Sequence, residues 1–387
     1  MKEKFFACGL AFICILLLGL TTAFADGAPK PGSVDAIKQA LGLSVYLQGG
    51  YTGNLRGADT NEWRVFDHSG NSFTLDLAEL QFLKAPSLGH VGFKLKLAAG
   101  ETAKFIHSNG LGASKPDLPF DLTEAYVDYV APIGSGLTLQ LGKFVTFTGE
   151  EVIEASGDYN YSRSFLFNYA IPFTHTGFMA GYTFSKVLSA NAYILNGWDD
   201  EVDNNVGKTY GLSTTVTPSS SSSLIFNFLF GPEEKNDNHD NRFLFDWVGS
   251  ISPVKNLTLV TNTDFGWEKG SPTNPNGLNE DAKWYGAAVY ANYVFTDKWS
   301  GTVRAEEFWD PQGFRTLIAN PPAGEVDPYP LGIGQNLKEV TLTAQYTLAK
   351  DLLLRPEYRH DWSNLATFAN FSRKQQDTLA LGVMYTW

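Results

Sequence analysis

The chain has 387 residues, a formal net charge of −12 and an aromatic content of 14%. So acidic a chain is no nucleic-acid binder, because a polyanion would be repelled. Both cysteines, Cys8 and Cys14, fall before residue 26, so the rest can form no disulfide, thiol nucleophile, covalent haem attachment or cysteine metal site.

Lys2 and Lys4 precede an apolar run from Phe5 to Leu20, and Ala23-Phe24-Ala25 is a small-residue cleavage pattern. That arrangement predicts a secretory signal peptide over 1–25. Residues 26–41 are polar, with Val34, Ile37 and Leu41 at helical spacing, and predict a short periplasmic segment of one or two helical turns. Beyond residue 25 no apolar stretch approaches the ~18 residues that a spanning helix needs.

From residue 42 onward the pattern alternates with a period of two. Leu43, Val45, Leu47 and Tyr51 share one face of 42–53. Val91, Phe93, Leu95 and Leu97 share another, with Lys94 and Lys96 opposite. Leu137, Leu139 and Leu141 follow, then Phe178, Ala180, Tyr182 and Phe184, then Leu224, Phe226, Phe228 and Phe230. Tyr285 to Phe295 gives the longest such face. The last is Leu379, Leu381, Val383, Tyr385 and Trp387, a strand that runs to the final residue. Alternation over so many segments means strands with two different surroundings.

The connections alternate too. The short ones are 84–89, 132–136, 185–186, 218–222, 252–255, 296–298 and 349–351. The long ones are 54–71, 100–120, 148–175, 198–207, 231–241, 268–282, 310–337 and 363–375. They interleave strictly and join sixteen strands. A chain without apolar helices can cross a membrane only as a closed barrel, which satisfies every strand's backbone in lipid. The fold expected over 42–387 is therefore an all-β transmembrane antiparallel barrel of about 16 strands, with short periplasmic turns and long extracellular loops. Trp198, Trp267, Trp284, Trp299 and Trp309, near strand ends, are expected in the interfacial girdles.

The face opposite the apolar one carries the functional information. Lys94, Lys96, Arg304, Glu306, Arg355, Glu357, Arg359 and Asp361 are expected to line the lumen, the threonines at 341, 343 and 347 with them. Such charges are cheap in water and expensive in a dry core. If the barrel were plugged instead, Arg304/Glu306 and Arg355/Glu357 would be internal salt bridges. The third long loop, 148–175, is too apolar for a surface tip: Ile153, Phe165, Leu166, Phe167, Tyr169, Ile171 and Phe173 need something to pack on. Folded into the barrel it would form a constriction carrying Glu150, Glu151, Glu154, Asp158 and Arg163. The fourth and fifth long loops hold Asp199, Asp200, Glu201 and Asp203, then Glu233, Glu234, Asp237 and Asp240. They lack EF-hand spacing and are expected to be solvated faces; no metal site or cofactor is indicated.

Residues 142–205 carry a family resemblance. Gly142-Lys143-Phe144, Gly149-Glu150-Glu151, Tyr161-Ser162-Arg163-Ser164, Pro172-Phe173-Thr174-His175-Thr176-Gly177, Asn196-Gly197-Trp198-Asp199 and Asp203-Asn204-Asn205 resemble the OmpL-like β-barrel porin family. Ala125-Tyr126-Val127 and Arg304-Ala305-Glu306, with Asp310 and Gly313, look like it as well. The resemblance implies a pore-forming protein of the Gram-negative outer membrane. It would be a passive diffusion channel for small hydrophilic solutes or ions, held in outer-membrane lipid, with a homo-oligomer open. It brings no catalytic or ligand residues. Two other classes stay open: a barrel sheath around a periplasmic cytochrome electron conduit, and a barrel hydrolase using Ser162 or Ser164 with His175. No nucleophile signature frames those serines, and the chain is read as not an enzyme.

Overall fold

The computed structural model describes residues 42–111, 118–271, 280–316, 334–369 and 371–387. The expected signal peptide, 1–25, and the 26–41 segment lie outside the described residues. Sixteen strands follow in order: β1 Leu43–Asn54, β2 Ser72–Lys84, β3 Val91–Ala99, β4 Phe120–Ala131, β5 Leu137–Val145, β6 Thr174–Thr183, β7 Leu188–Leu195, β8 Thr209–Ser219, β9 Ser222–Pro232, β10 Asn241–Val254, β11 Leu257–Ser271, β12 Glu280–Val294, β13 Trp299–Asp310, β14 Gln335–Ala349, β15 Leu352–Ser363 and β16 Gln375–Thr386.

Every strand pairs with its sequence neighbours, and β1 pairs antiparallel with β16, so the sheet closes. The seam runs from Tyr46↔Thr386 to Asn54↔Thr378. It is extended by Val45 and Trp387, which exchange backbone hydrogen bonds at 3.0 and 2.8 Å. Closure leaves no edge, which lipid demands because no water is there to satisfy one.

The two faces separate as the alternation predicts. On β16, Leu379, Leu381 and Val383 are exposed on the outside, while Thr378 and Met384 are buried inside. Phe73, Leu75, Val127, Leu141, Ile194, Tyr210, Val289 and Leu342 continue the exposed apolar band around the barrel. That band is a lipid-facing surface; in water it would be an aggregation hazard. Among the described residues no helix is long and apolar enough to cross a membrane. Trp299 and Trp309 lie on this outer surface, as girdle residues should. Trp198 and Trp284 do not: both are buried inside, their rings 6.0 Å apart edge to face. Position at a strand end suggests a girdle, but which face the side chain takes is set by parity along the strand, and Trp284 falls on the inward parity.

Candidate functional site

The 28 residues between β5 and β6, 146–173, lie inside the barrel; they are called loop 3 below. Phe147 stacks on Tyr193 of β7, centroids 4.0 Å apart and planes 3° from parallel. The chain then turns at Gly149, whose φ of +86° suits a residue without Cβ. The Gly149 N–H donates to Asp246 Oδ1 at 3.0 Å, and the Glu150 N–H donates to Asn262 Oδ1 at 3.3 Å. The loop has thereby reached β10 and β11 across the interior.

Inward charges fix the rest of its path. Glu151 accepts from Arg304 Nη1 at 2.6 Å and from the Ser164 N–H at 2.7 Å. Arg304 also donates to Glu339 at 2.5 Å and to the Ser162 carbonyl at 2.8 Å. Glu154 pairs with Lys96, which sits 3.3 Å from Glu124; Lys94 also pairs with Glu124, at 2.5 Å, and makes no ion pair with loop 3 among the described residues. Glu357 accepts the Tyr161 and Ser162 N–H groups at 2.7 and 3.0 Å. Glu306 accepts those of Phe165 and Leu166 at 2.7 and 2.5 Å, where the single π-helical turn Leu166–Ala170 begins. Helix starts leave such N–H groups without partners, and a carboxylate satisfies two at once. Arg355 donates to the Ala155 and Asn160 carbonyls, and Arg359 to the Arg163 carbonyl at 2.5 Å. Arg163 stands 2.9 Å from Asp158 and donates to three carbonyls of its own loop.

The neighbouring Arg304/Glu306 and Arg355/Glu357 pairs are not salt bridges. Glu306 and Glu357 turn to loop backbone, while Arg304 takes Glu151 and Glu339. Nor are these wall charges wet: Arg304, Arg359, Glu339 and Asp361 are all 0% exposed. Loop 3 has displaced the water, and its N–H groups, carbonyls and carboxylates stand in for it. Solvent reaches the loop itself at Val152 and Gly157, with Glu150, Glu154, Ser156 and Tyr159 half-buried between them. Burial pushes the Glu150 carboxyl up to about 7, with the Glu151 and Asp246 carboxylates adding to the effect.

The loop's apolar residues pack as its composition requires. Ile153, Phe165, Leu166, Phe167, Tyr169 and Ile171 are buried. Phe66, from the segment between β1 and β2, meets Phe167 and Phe173 at 5.5 and 5.7 Å. Trp284 donates to the Ala170 carbonyl at 2.9 Å. Tyr161 lies on a floor made by Gly50 and Gly382, which face each other across the barrel seam. Its hydroxyl donates to Asp76 at 2.7 Å. A Cβ at Gly382 would stand 2.3 Å from the Tyr161 ring. Gly382→Val should therefore expel the ring and destabilise the barrel by ~1–3 kcal/mol, with Gly382→Ala between. Thermal unfolding followed by gel mobility reads this; a valine variant as stable as the parent would remove Tyr161 from the anchoring set.

The family described as “Putative beta-barrel porin-2, OmpL-like” matches residues 40–387. The chain belongs to that family. It is a porin of the Gram-negative outer membrane. No curated protein matches the porin in sequence. Its fold is shared by solved structures at low identity. An anion-selective porin from Comamonas acidovorans aligns with a TM-score of 0.59 at 11% identity, covering 89% of this chain and 98% of that one. The outer membrane channel DcaP of Acinetobacter baumannii gives 0.57 at 12%, covering 89% and 96%. Salmonella typhi OmpF, in complex with daunomycin, gives 0.56 at 13%, covering 89% and 97%.

Several residues of the porin's interior escape a reading of single segments. Arg64, between β1 and β2, is buried against Asp361 and Asp67, at 2.6 Å from each; nothing in its local sequence marks it. Asp76, Asp246, Asp264 and Glu339 also point inward. Phasing β10 from its outward Phe243, Phe245 and Trp247 would have found Asp246. The fourth and fifth long loops are not merely solvated. Asp199 accepts the Phe173 and Thr174 N–H groups at 2.7 and 2.9 Å, and Glu233 that of Trp198 at 2.6 Å. Asp199 thus satisfies backbone donors where loop 3 returns to β6, and Glu233 one within the fourth long loop. His175 lies in β6 with Nε2 on Thr146 Oγ1 at 3.1 Å, while Ser162 Oγ faces Arg304 and Arg359. No hydrogen bond among the described residues joins either serine to that histidine. No three His, Cys, Asp or Glu side chains cluster at metal-binding distance among the described residues.

Proposed function

We propose that this porin passes small hydrophilic solutes or ions by diffusion, with loop 3 narrowing the barrel from one side. One observation carries the reading. Among the described residues, the hydrogen bonds and ion pairs of 149–170 to the strands go to β1–β3 and β10–β15, and none goes to β4–β9. The inward residues of that remaining arc include Thr138, Gln140, Met179, Asn191 and Thr215, neutral and half-buried. Solutes would pass between that arc and the solvent-reached edge of loop 3. On this reading Glu150 and Glu154 face the passage, while Glu151, Asp158 and Arg163 hold the loop in place. Lys96, Arg304, Glu306, Arg355, Glu357 and Arg359 anchor it, and Lys94 borders it. With loop 3 inside, a cytochrome would have no room, which argues against the sheath. A homo-oligomer in outer-membrane lipid goes with the reading, and light scattering of the detergent-solubilised protein checks it.

The passage is cation-preferring. Asp76 and Glu306 have no cationic group within 4 Å among the described residues, and neither does Glu150, which sits at the edge of loop 3 that solvent reaches. Fixed charge at a narrow point sets ion preference through its focused field. Single-channel recording in asymmetric salt should give discrete conductance with a cation-selective reversal potential. Selectivity should be stronger at pH 8 than at pH 5, since Glu150 ionises around 7. Glu150→Gln should flatten that dependence. The same group acts oppositely on stability. Its carboxyl is raised from 4.5, so its contribution is full below 4.5 and is lost as pH rises through 7. Folded protein that never conducts would end the proposal.

A further inference from the structure

On the wall where loop 3 first lands, three inward side chains stand side by side in register: Asn227 on β9, Asp246 on β10 and Asp264 on β11. All are 0–1% exposed. Asp246 accepts from three N–H donors. Asn227 Nδ2 and Gly149 N donate to Oδ1 at 2.6 and 3.0 Å, and Asn262 Nδ2 donates to Oδ2 at 2.6 Å. Asp264 beside it has no such donor. Both of its carboxylate oxygens are bare, and so is the amide oxygen of Asn227. No lysine, arginine or histidine lies within 4 Å of either aspartate among the described residues. Buried oxygens without partners are costly, and two adjacent carboxylates without a counter-charge more so.

Two occupants could relieve this. A proton shared between the carboxylates satisfies one oxygen of Asp264 and leaves its other oxygen and the Asn227 oxygen bare. A cation answers all three oxygens and the charge together. We propose that Asp246, Asp264 and the Asn227 side-chain oxygen form a binding site for a hard divalent cation of the calcium class. Two carboxylates match a double charge. Facing cross-strand side chains sit ~4.5–5.5 Å apart at Cβ, which suits an ion with ligands at ~2.3–2.6 Å. Loop 3 is bonded to the same cluster through Gly149 and Glu150, so the ion would fix the point where the loop leaves the β5 side. The site does not depend on whether the barrel conducts.

Terbium is the probe. The Trp284 ring lies against Gly266, the next inward residue after Asp264 on β11, close enough to sensitise a bound lanthanide. In folded, detergent-solubilised porin, terbium luminescence excited at the indole band should saturate, and calcium should displace it. Asp264→Asn should weaken the calcium-displaceable component by at least about tenfold. Calcium should raise the melting temperature of the parent and not of the Asp264→Asn variant. Acidic loops elsewhere bind terbium in both proteins and so cancel in the comparison. Equal saturable binding by parent and variant would overturn the site. So would an absence of saturable binding in the folded parent. A parent whose melting at pH 8 is indifferent to both calcium and chelator would do the same, and would assign the pair a shared proton instead.

Discussion

Arg304→Met should destabilise the porin by ~3–5 kcal/mol and widen or destabilise its open state. The Arg304 side chain is 0% exposed and holds Glu339 at 2.5 Å, Glu151 at 2.6 Å and the Ser162 carbonyl at 2.8 Å. Methionine replaces the volume but not the charge or the donors. Glu339 keeps Arg359 at 3.7 Å. Among the described residues Glu151 loses its one ion-pair partner and keeps the Ser164 N–H. A buried carboxylate stranded in this way accounts for most of the loss, so Arg304→Met combined with Glu151→Gln should recover part of it. Such recovery is a coupling energy, and the double-mutant cycle measures it. Arg304→Lys should fall between, because an ammonium keeps the charge but cannot fork between Glu151 and Glu339. Denaturant or thermal unfolding gives the stability, and channel recording gives the conductance and its noise. A methionine variant matching the parent in both would show that loop 3 is held by its apolar packing alone.

Much of this was legible in the sequence because the governing constraint is local. Lipid on one face of every strand writes a period of two into the residues themselves, and closure in lipid turns the count of strands into a fold. The bounds of β3 and β16 can be read from Val91–Ala99 and Gln375–Thr386 without any other part of the chain. The inward course of loop 3 had a compositional sign as well, since Phe165, Leu166 and Phe167 have no stable place on a wet tip. The pairings had none. Which wall residue meets which loop residue depends on where the loop lands after crossing the barrel, and alternation is silent on that. Hence Arg304 and Glu306 look like partners from their spacing, yet the nearer opportunity for Glu306 is the pair of backbone N–H groups at Phe165 and Leu166. Arg64 shows the same gap from the other side, with a partner on β15 almost 300 positions away.

Excising loop 3 should have the largest effect on transport. Replacing 150–172 by a short Gly-Ser linker from Gly149 to Phe173 should raise single-channel conductance severalfold, since sixteen-stranded barrels leave an aqueous channel when nothing fills them. The thermodynamic cost should be smaller than the number of lost bonds suggests. Arg355, Arg359, Glu306 and Glu357 lose their loop partners, but water enters with the loop's departure and hydrates them, so none is left both charged and dry. Arg304→Met does the reverse: it removes one partner and leaves the water out. The excised barrel should therefore be less destabilised per lost contact than the point variant, and its stability should depend more on salt, because its wall charges now face electrolyte. Asp361 should be least affected, since Arg359 and Arg64 both hold it at 2.6 Å independently of loop 3. If the excised protein folds, migrates as a closed barrel and conducts no better than the parent, the restriction lies elsewhere. The segment between β1 and β2, which brings Phe66 and Arg64 over the same interior, would be the next to remove.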